Sequence, residues 1–239
     1  MTPCFQTDDG ICVPAVTAEQ MREIDRIAVE ETGPNLYQMM ENAGRNLATV
    51  ALEMLGEGSR QSRILVLAGR GGNGGGGICA ARHLANRGVD ITLCLAEPLA
   101  LSEVAEWQYR IFRATPGKVL SAAALEGESF DLIIDALIGY SLTGAPRGVF
   151  ADLIGWASAA RTKVLALDVP SGLDSGTTPG SAIAAQTTLT LALPKTGLKA
   201  GRLSSRGQLE TYRRLNLSYV PPFGHRYVVP LNISKGNPI

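Results

Sequence analysis

A chain of 239 residues, 45% of them hydrophobic, has apolar mass for one well-buried core and little room for a second independent domain. Lys+Arg and Asp+Glu are each 22, so the formal net charge is zero and neither a nucleic-acid surface nor an acidic solvating arm is indicated. No apolar run reaches the roughly 20 residues of a membrane-spanning helix, residues 1–15 show no signal peptide, and two histidines without a Cys-x-x-Cys make a poor zinc site.

Residues 1–16 read as an irregular N-terminal arm. Thr17 then caps a helix, with Gln20 placed to complete a capping box and Met21, Ile24, Ile27 and Ala28 at helical spacing. Gly33-Pro34 stops it. A second helix carries Leu36, Met39, Met40, Ala43, Leu47, Val50, Ala51 and Met54 on one face, and Gly56 closes it. The pattern then changes: Ile64–Ala68 is a short, continuously apolar run, and Val89–Leu95, Asp131–Asp135 and Lys163–Leu167 read as further strands. Such runs suit parallel strands buried on both faces. Helices are expected from about Ile78 to Asn86, over Leu101–Arg113 and over Val149–Ala160. A further strand is expected within Ala182–Leu193, and Gly207–Tyr212 alternates like a late strand. Strands alternating with helices predict an α/β protein, three layers (α/β/α) doubly wound around a mostly parallel, Rossmann-like sheet. Cys79 and Cys94 sit in apolar runs as buried thiols, and the cysteine usage as a whole fits a soluble protein in a reducing compartment.

Ligands of doubly wound sheets bind outside the carboxyl ends of the strands. Three strand ends are informative here. The first is Ala68 to Gly77, a glycine run between strand and helix whose only polar side chain besides Arg70 is Asn73. Glycines let backbone approach an anion, and a helix N-terminus offers free N–H groups. No Lys-Ser/Thr follows, so this is not a Walker A loop. The second is Asp135, followed by the hydroxyl-rich loop Gly139-Tyr140-Ser141-Leu142-Thr143-Gly144. Asp135 is equally suited to capping its own turn and to ligating a hard cation. The third is Asp168-Val169-Pro170-Ser171-Gly172, where Pro170 stiffens the turn that carries Asp168 and Ser171. Asp174 reads as a turn former, and Lys195 is the best basic candidate near this face.

Taken in order, these segments resemble the NAD(P)H-hydrate epimerase family, also known as the YjeF N-terminal domain. The matching pieces are Met21-Arg22-Glu23-Ile24-Asp25, Met40-Glu41-Asn42-Ala43-Gly44, Ala68-Gly69-x-Gly71 with Asn73-Gly74-Gly75 and Gly77, and Ala80-Ala81-Arg82-His83-Leu84. Asp135-Ala136-Leu137-Ile138-Gly139, Asp168-Val169-Pro170-Ser171-Gly172-Leu173-Asp174 and Pro194-Lys195-x-Gly197-Leu198 complete the set. The likeness runs from about Thr17 to Leu217 and implies one such domain over residues 1–239, with residues 218–239 as a C-terminal tail.

The resemblance implies an isomerase that interconverts the R and S forms of hydrated NADH and NADPH in nucleotide repair. It implies one potassium ion per chain on Asn73, Asp135 and Ser171. Hydrated cofactor would be contacted by Gly72, Asn73, Gly74, Gly75 and Gly76, by Gly139, Tyr140, Ser141, Leu142, Thr143, Gly144 and Ala145, and by Asp168. It also implies a homodimer, a cytoplasmic location and a separate dehydratase that consumes one epimer. Three positions depart from the family pattern: Gly72, Gly76 and Gln186 stand where Asn, Asp and Asp are usual. With them goes a second reading, a nucleotide-binding or protein-interaction module of the same fold without turnover. A classical dehydrogenase is a third; Glu97 lies near the ribose-binding distance, but no proton-relay residue accompanies it.

The chemistry follows from the hydrated carbon, which bears both a hydroxyl and the ring nitrogen. Loss of the hydroxyl leaves an iminium ion, and water returning on the other face inverts the centre. Asp168, on a stiff strand end, is the expected catalytic acid and base for this exchange.

Overall fold

The computed structural model describes residues 4–142, 144–173, 182–198, 201–204, 212, 214 and 223–233. Its strands form one ten-stranded sheet, ordered β2-β1-β10-β9-β8-β7-β6-β3-β4-β5. In chain order these are β1 (Cys4–Gln6), β2 (Cys12–Pro14), β3 (Arg63–Ala68), β4 (Asp90–Leu95), β5 (Lys118–Leu120), β6 (Leu132–Ala136), β7 (Lys163–Leu167), β8 (Thr187–Leu191), β9 (Gly201–Ser204) and β10 (Val228–Ile233). From β9 across to β5 every pairing is parallel; β10, β1 and β2 add an antiparallel edge.

The helices are α1 (Ala18–Ile27), α2 (Leu36–Leu55), α3 (Gly72–Ala85), α4 (Glu103–Phe112) and α5 (Val149–Ala159). Alternate residues of the central strands face opposite layers. Ile64, Val66, Leu132, Ile134 and Leu165 pack with α2, α3 and α4, while Leu65, Leu67, Ile133 and Val164 pack with α5. Leu65, Leu67, Ile133, Ile134, Leu165 and Leu167 are all fully buried, as their unbroken apolar runs require of a sheet covered on both faces. The Thr17–Gln20 capping box forms, and Asn35 with Gln38 makes another at the start of α2.

Four segments differ from expectation. Of the expected irregular arm over residues 1–16, residues 4–14 are not irregular: β1 and β2 form a hairpin whose Phe5 and Val13 are buried with Met21, Ile24, Leu203, Val229 and Leu231 in a core of their own. Their short alternation was masked by Gly10 and the polar turn around it. Cys4 and Cys12 are joined by a disulfide across this hairpin, so the expectation of reduced cysteines holds for Cys79 and Cys94 and not for this pair. The tail after residue 217 is not featureless either, since Val228–Ile233 supplies β10. The glycine run is not a loop ahead of a helix at Ile78, because α3 already begins at Gly72. Of the expected Gly207–Tyr212 strand, residues 207–211 lie outside the described residues and Tyr212 is helical; the strand before it is Gly201–Ser204.

Both outer edges are short, and β2 carries Pro14, which has no N–H to offer another chain. Among the described residues no helix is long and apolar enough to cross a membrane.

Candidate active site

The sheet reverses its winding between β3 and β6. From β3 the chain proceeds outward through β4 and β5, and from β6 the other way through β7, β8 and β9. Loops diverge at such a switch point and leave a crevice at the carboxyl ends of the strands. A cavity of about 710 Å³ lies there. Its walls include Gly72, Asn73 and Gly76 of α3, Gly139, Tyr140, Ser141, Leu142 and Ala145 after β6, and Asp168 after β7. Asp25, Arg70, Arg147 and Phe150 complete its polar and aromatic rim, and Leu36, Met39, Met40, Leu137, Leu167 and Leu191 give it an apolar wall. This is the usual make-up of a small-molecule site, mostly apolar with a few convergent polar groups.

The glycines of α3 divide into two kinds. A Cβ on Gly74 would lie 1.7 Å from the Gly69 carbonyl oxygen, one on Gly69 1.9 Å from the Leu137 carbonyl oxygen, and one on Gly77 2.5 Å from the Ala136 Cβ. These glycines, with Gly75 against the end of Met40, let the first turns of α3 press onto the β3 and β6 strand ends. Gly74 and Gly75, expected at the ligand, do not line the cavity. Gly72 meets nothing within 4 Å, and a Cβ on Gly76 would approach only the flexible tip of Leu167. Of the three positions at which the sequence departs from the family pattern, the two on α3, Gly72 and Gly76, are thus the α3 glycines open toward the cavity. Gly71 serves as the N-cap of α3 without a side chain, and the first intrahelical bond noted is Gly75 N–H to the Gly71 carbonyl. The N–H groups ahead of it, with Arg70 and Arg147 nearby, suit an anion.

Asp168 has φ of 69°, a left-handed conformation that costs a non-glycine residue roughly 1–3 kcal/mol and clusters at functional sites. Its surroundings hold it there. Its N–H donates to the Leu189 carbonyl at 2.8 Å, and its Oδ1 accepts from the Leu191 N–H at 3.2 Å and from Lys195 Nζ. Lys195 also donates to the Leu191 carbonyl at 2.7 Å and lies 5.6 Å from the centre of the Tyr140 ring. Asp168 and Lys195 are each 3% exposed, so this is a buried ion pair at the cavity wall. The Tyr140 hydroxyl donates to Asp25 Oδ2 at 2.6 Å.

Beneath the cavity, Asp135 is fully buried and bonds to Ser171, the other strand-end residue expected with it. Oδ1 accepts from Ser171 Oγ at 2.6 Å and from the Leu137 N–H at 3.2 Å, and Oδ2 accepts from the Ser171 N–H at 2.7 Å. Burial pushes the carboxyl up to about 6, against the pull of these hydrogen bonds. Among the described residues no cationic side chain is paired with it. Asn73 packs against Gly139 nearby, its Nδ2 buried without a hydrogen-bond partner. Carboxylate, hydroxyl and amide oxygens are the donors a hard monovalent cation takes.

Of the remaining expected ligand contacts, Gly144 does not line the cavity and Thr143 lies outside the described residues. Asp25 belongs to the Met21–Asp25 segment that carries the family resemblance, and its sequence context points to no role in the site. It sits on the half-buried flank of α1, whose Met21, Ile24 and Ile27 face the core, and amphipathic spacing alone could not say that this flank meets a cavity. Elsewhere, Glu41, Cys79 and His83 bring ligand atoms within 4.8 Å of one another. Arg82 stands among them, ion-paired to Glu41 at 2.5 Å and 3.4 Å from the Cys79 sulfur, and burial drives the Cys79 thiol up to about 12. A resident guanidinium and a protonated thiol make that cluster a structural ion pair.

The family described as "YjeF-related protein N-terminus" matches residues 36–197. A protein of Dehalogenimonas lykanthroporepellens named NAD(P)H-hydrate epimerase is 54% identical over 241 residues, which cover 97% of this chain and 98% of that one. The chain belongs to the YjeF-related family. A Rhodopirellula baltica member with the same name is 34% identical over 194 residues, 78% of each chain. In Hyperthermus butylicus a protein named bifunctional NAD(P)H-hydrate repair enzyme is 39% identical over 211 residues, 79% of this chain and 37% of that one. The crystal structure of yeast ynu0 shares the fold, with a TM-score of 0.79 and 21% identity over 90% of this chain and 99% of that one. Asp168, Asp135, Ser171 and the α3 glycines all fall inside the family match; Asp25 lies ahead of it.

Proposed function

We propose that this chain is an NAD(P)H-hydrate epimerase that interconverts the R and S forms of hydrated NADH and NADPH. The observation that carries this is the buried Asp168–Lys195 pair on the wall of a 710 Å³ strand-end cavity, next to a helix N-terminus that suits a phosphate. The likeness, over nearly the whole of both chains, to a protein of that name supports the same activity. The dinucleotide's phosphates would lie at the start of α3 with Arg70 and Arg147, and the hydrated ring against Asp168 and the apolar wall. Asp168 would exchange protons with the hydroxyl on the ring face that it lines.

Asn73, Asp135 and Ser171 would hold one potassium ion. The fit rests on a buried carboxylate with no cationic side chain paired to it among the described residues, and the ion would balance phosphate charge and fix the strand-end loops. A single domain spanning residues 1–239, a cytoplasmic homodimer and a dehydratase that consumes one epimer belong to the same proposal. The existence of relatives named bifunctional repair enzymes supports the last. The test is direct: purified protein is mixed with the R epimer of hydrated NADPH, and the S form is followed by chromatography. No gain over the spontaneous rate refutes the activity; binding without turnover leaves the binding-module reading.

A further inference from the structure

We infer that Tyr140 and Asp25 form a second proton-transfer unit that serves the opposite face of the reacting ring from Asp168–Lys195. The inference rests on the epimerase activity proposed above and adds to it residues from α1 and the β6–α5 loop.

Inverting a carbon that carries a hydroxyl requires a proton to be given on the face that loses oxygen and taken on the face that gains it. One carboxylate on one wall cannot reach both faces of a ring lodged in a cavity. Two hydrogen-bonded polar pairs meet at the cavity. In one the Lys195 ammonium is bonded to Asp168. In the other the Tyr140 hydroxyl is bonded at 2.6 Å to Asp25, and Lys195 Nζ lies over the Tyr140 ring, 5.6 Å from its centre, so the two pairs adjoin. Asp25, Tyr140 and Asp168 all line the cavity. The two pairs are chemically complementary: one holds a proton donor in Lys195, and the other a proton acceptor in Asp25.

In one direction Lys195 passes a proton through Asp168 to the leaving hydroxyl. The C–O bond breaks with its pair going to oxygen, water departs, and the ring nitrogen's lone pair forms the C=N bond of the iminium ion. A water on the other face then supplies the pair for the new C–O bond while the C=N pair returns to nitrogen. That water's proton passes to the Tyr140 oxygen as Tyr140's own proton passes to Asp25. One proton is given and one is taken; exchange with bulk water then returns a proton to Lys195 and removes one from Asp25, and the reverse direction runs the same transfers backwards. Asp25 touches the reaction only through Tyr140 and is a positioning and proton-storing residue.

The test uses the full chain with purified R and S epimers of hydrated NADPH. Tyr140→Phe keeps the ring over Lys195 and removes the hydroxyl; kcat should fall at least about 10²-fold in both directions, with KM within about threefold. Asp25→Asn keeps an acceptor and removes the charge; kcat should fall about ten- to hundredfold, the worth of a charge-assisted hydrogen bond, again at constant KM. The double substitution should cost no more than Tyr140→Phe alone, since both act through one proton path. A pair that merely braces α1 against the loop would lower the unfolding temperature, leave kcat intact and give additive effects. Wild-type turnover with an unimpaired Tyr140→Phe, or additive losses, overturns the inference while the epimerase reading stands; no wild-type turnover removes that reading and the inference together.

Discussion

Asp135 offers the most quantitative test of the site. Burial raises its carboxyl from 3.8 to about 6, so between those values the folded chain holds a proton that the unfolded chain has released. Stability from the protonated carboxyl is therefore fully present below about pH 4 and lost as pH rises through about 6. The shift corresponds to about 3 kcal/mol against the ionised form, or roughly 6–12 °C in Tm at this chain length as an upper limit. A potassium ion binds only the ionised form and should restore the loss, by about 2.7 kcal/mol at a hundredfold excess over Kd. The assay is thermal unfolding at pH 5 and pH 8, in potassium chloride and in matched tetramethylammonium chloride, for wild type and Asp135→Asn. The amide will lower the baseline, because its NH₂ must face either the Ser171 N–H or the Leu137 N–H and Ser171 hydroxyl. Against that baseline, wild type should lose stability from pH 5 to pH 8 without potassium and regain it with potassium at pH 8 only. The variant should show neither effect. Identical pH and potassium responses in the two proteins would refute both the buried ionisation and the cation site.

Other substitutions probe the neighbouring parts. Lys195→Met leaves the Asp168 carboxylate buried without its cation and should destabilise by about 3–5 kcal/mol in chemical denaturation, while Asp168→Asn with Lys195→Met recovers most of it. Asp168→Asn alone should cost about 10²–10⁴-fold in epimerisation rate with binding of hydrated NADPH retained, measured by calorimetry. Gly74→Ala should yield no folded protein, because its Cβ falls within 1.7 Å of a carbonyl oxygen; circular dichroism and solubility report it. Gly72→Asn with Gly76→Asp should fold normally, since neither position meets backbone, and any change should appear in turnover alone.

The centre of the sheet was legible because β3, β6 and β7 each carry an unbroken apolar stretch, and Leu65 or Ile133 has no alternative to burial in so short a segment. The strand ends were legible for the same reason, since a polar residue such as Asp135 or Asp168 stands out against the run that it ends. The hairpin and β10 were not. Each has three to six residues, and in both the buried positions, Phe5 and Val13 or Val229 and Leu231, are separated by polar or proline neighbours. The glycine run misled in a different way. Glycine's low helix propensity argues for a loop, and the tertiary close approach of α3 to β3 and β6 overrides it. Lys195 was visible as a cation near the right face, but only the fold shows that it is buried against Asp168. Asp25 and Tyr140 lie 115 residues apart, and no local pattern joins them.

Phe5 pairs with Ile233 and Gln6 with Asn232, so the first strand of the chain has as neighbour the last strand described. A ribosome delivers these partners roughly 230 residues apart, and contacts of that span are the slowest to form. The parallel centre can assemble while the hairpin waits with Phe5 and Val13 uncovered. α1 shares a core with that hairpin, and Asp25 rides on α1. The wall of the cavity that Asp25 provides is therefore expected to be completed late in synthesis, after the strand-end loops opposite it are already in place.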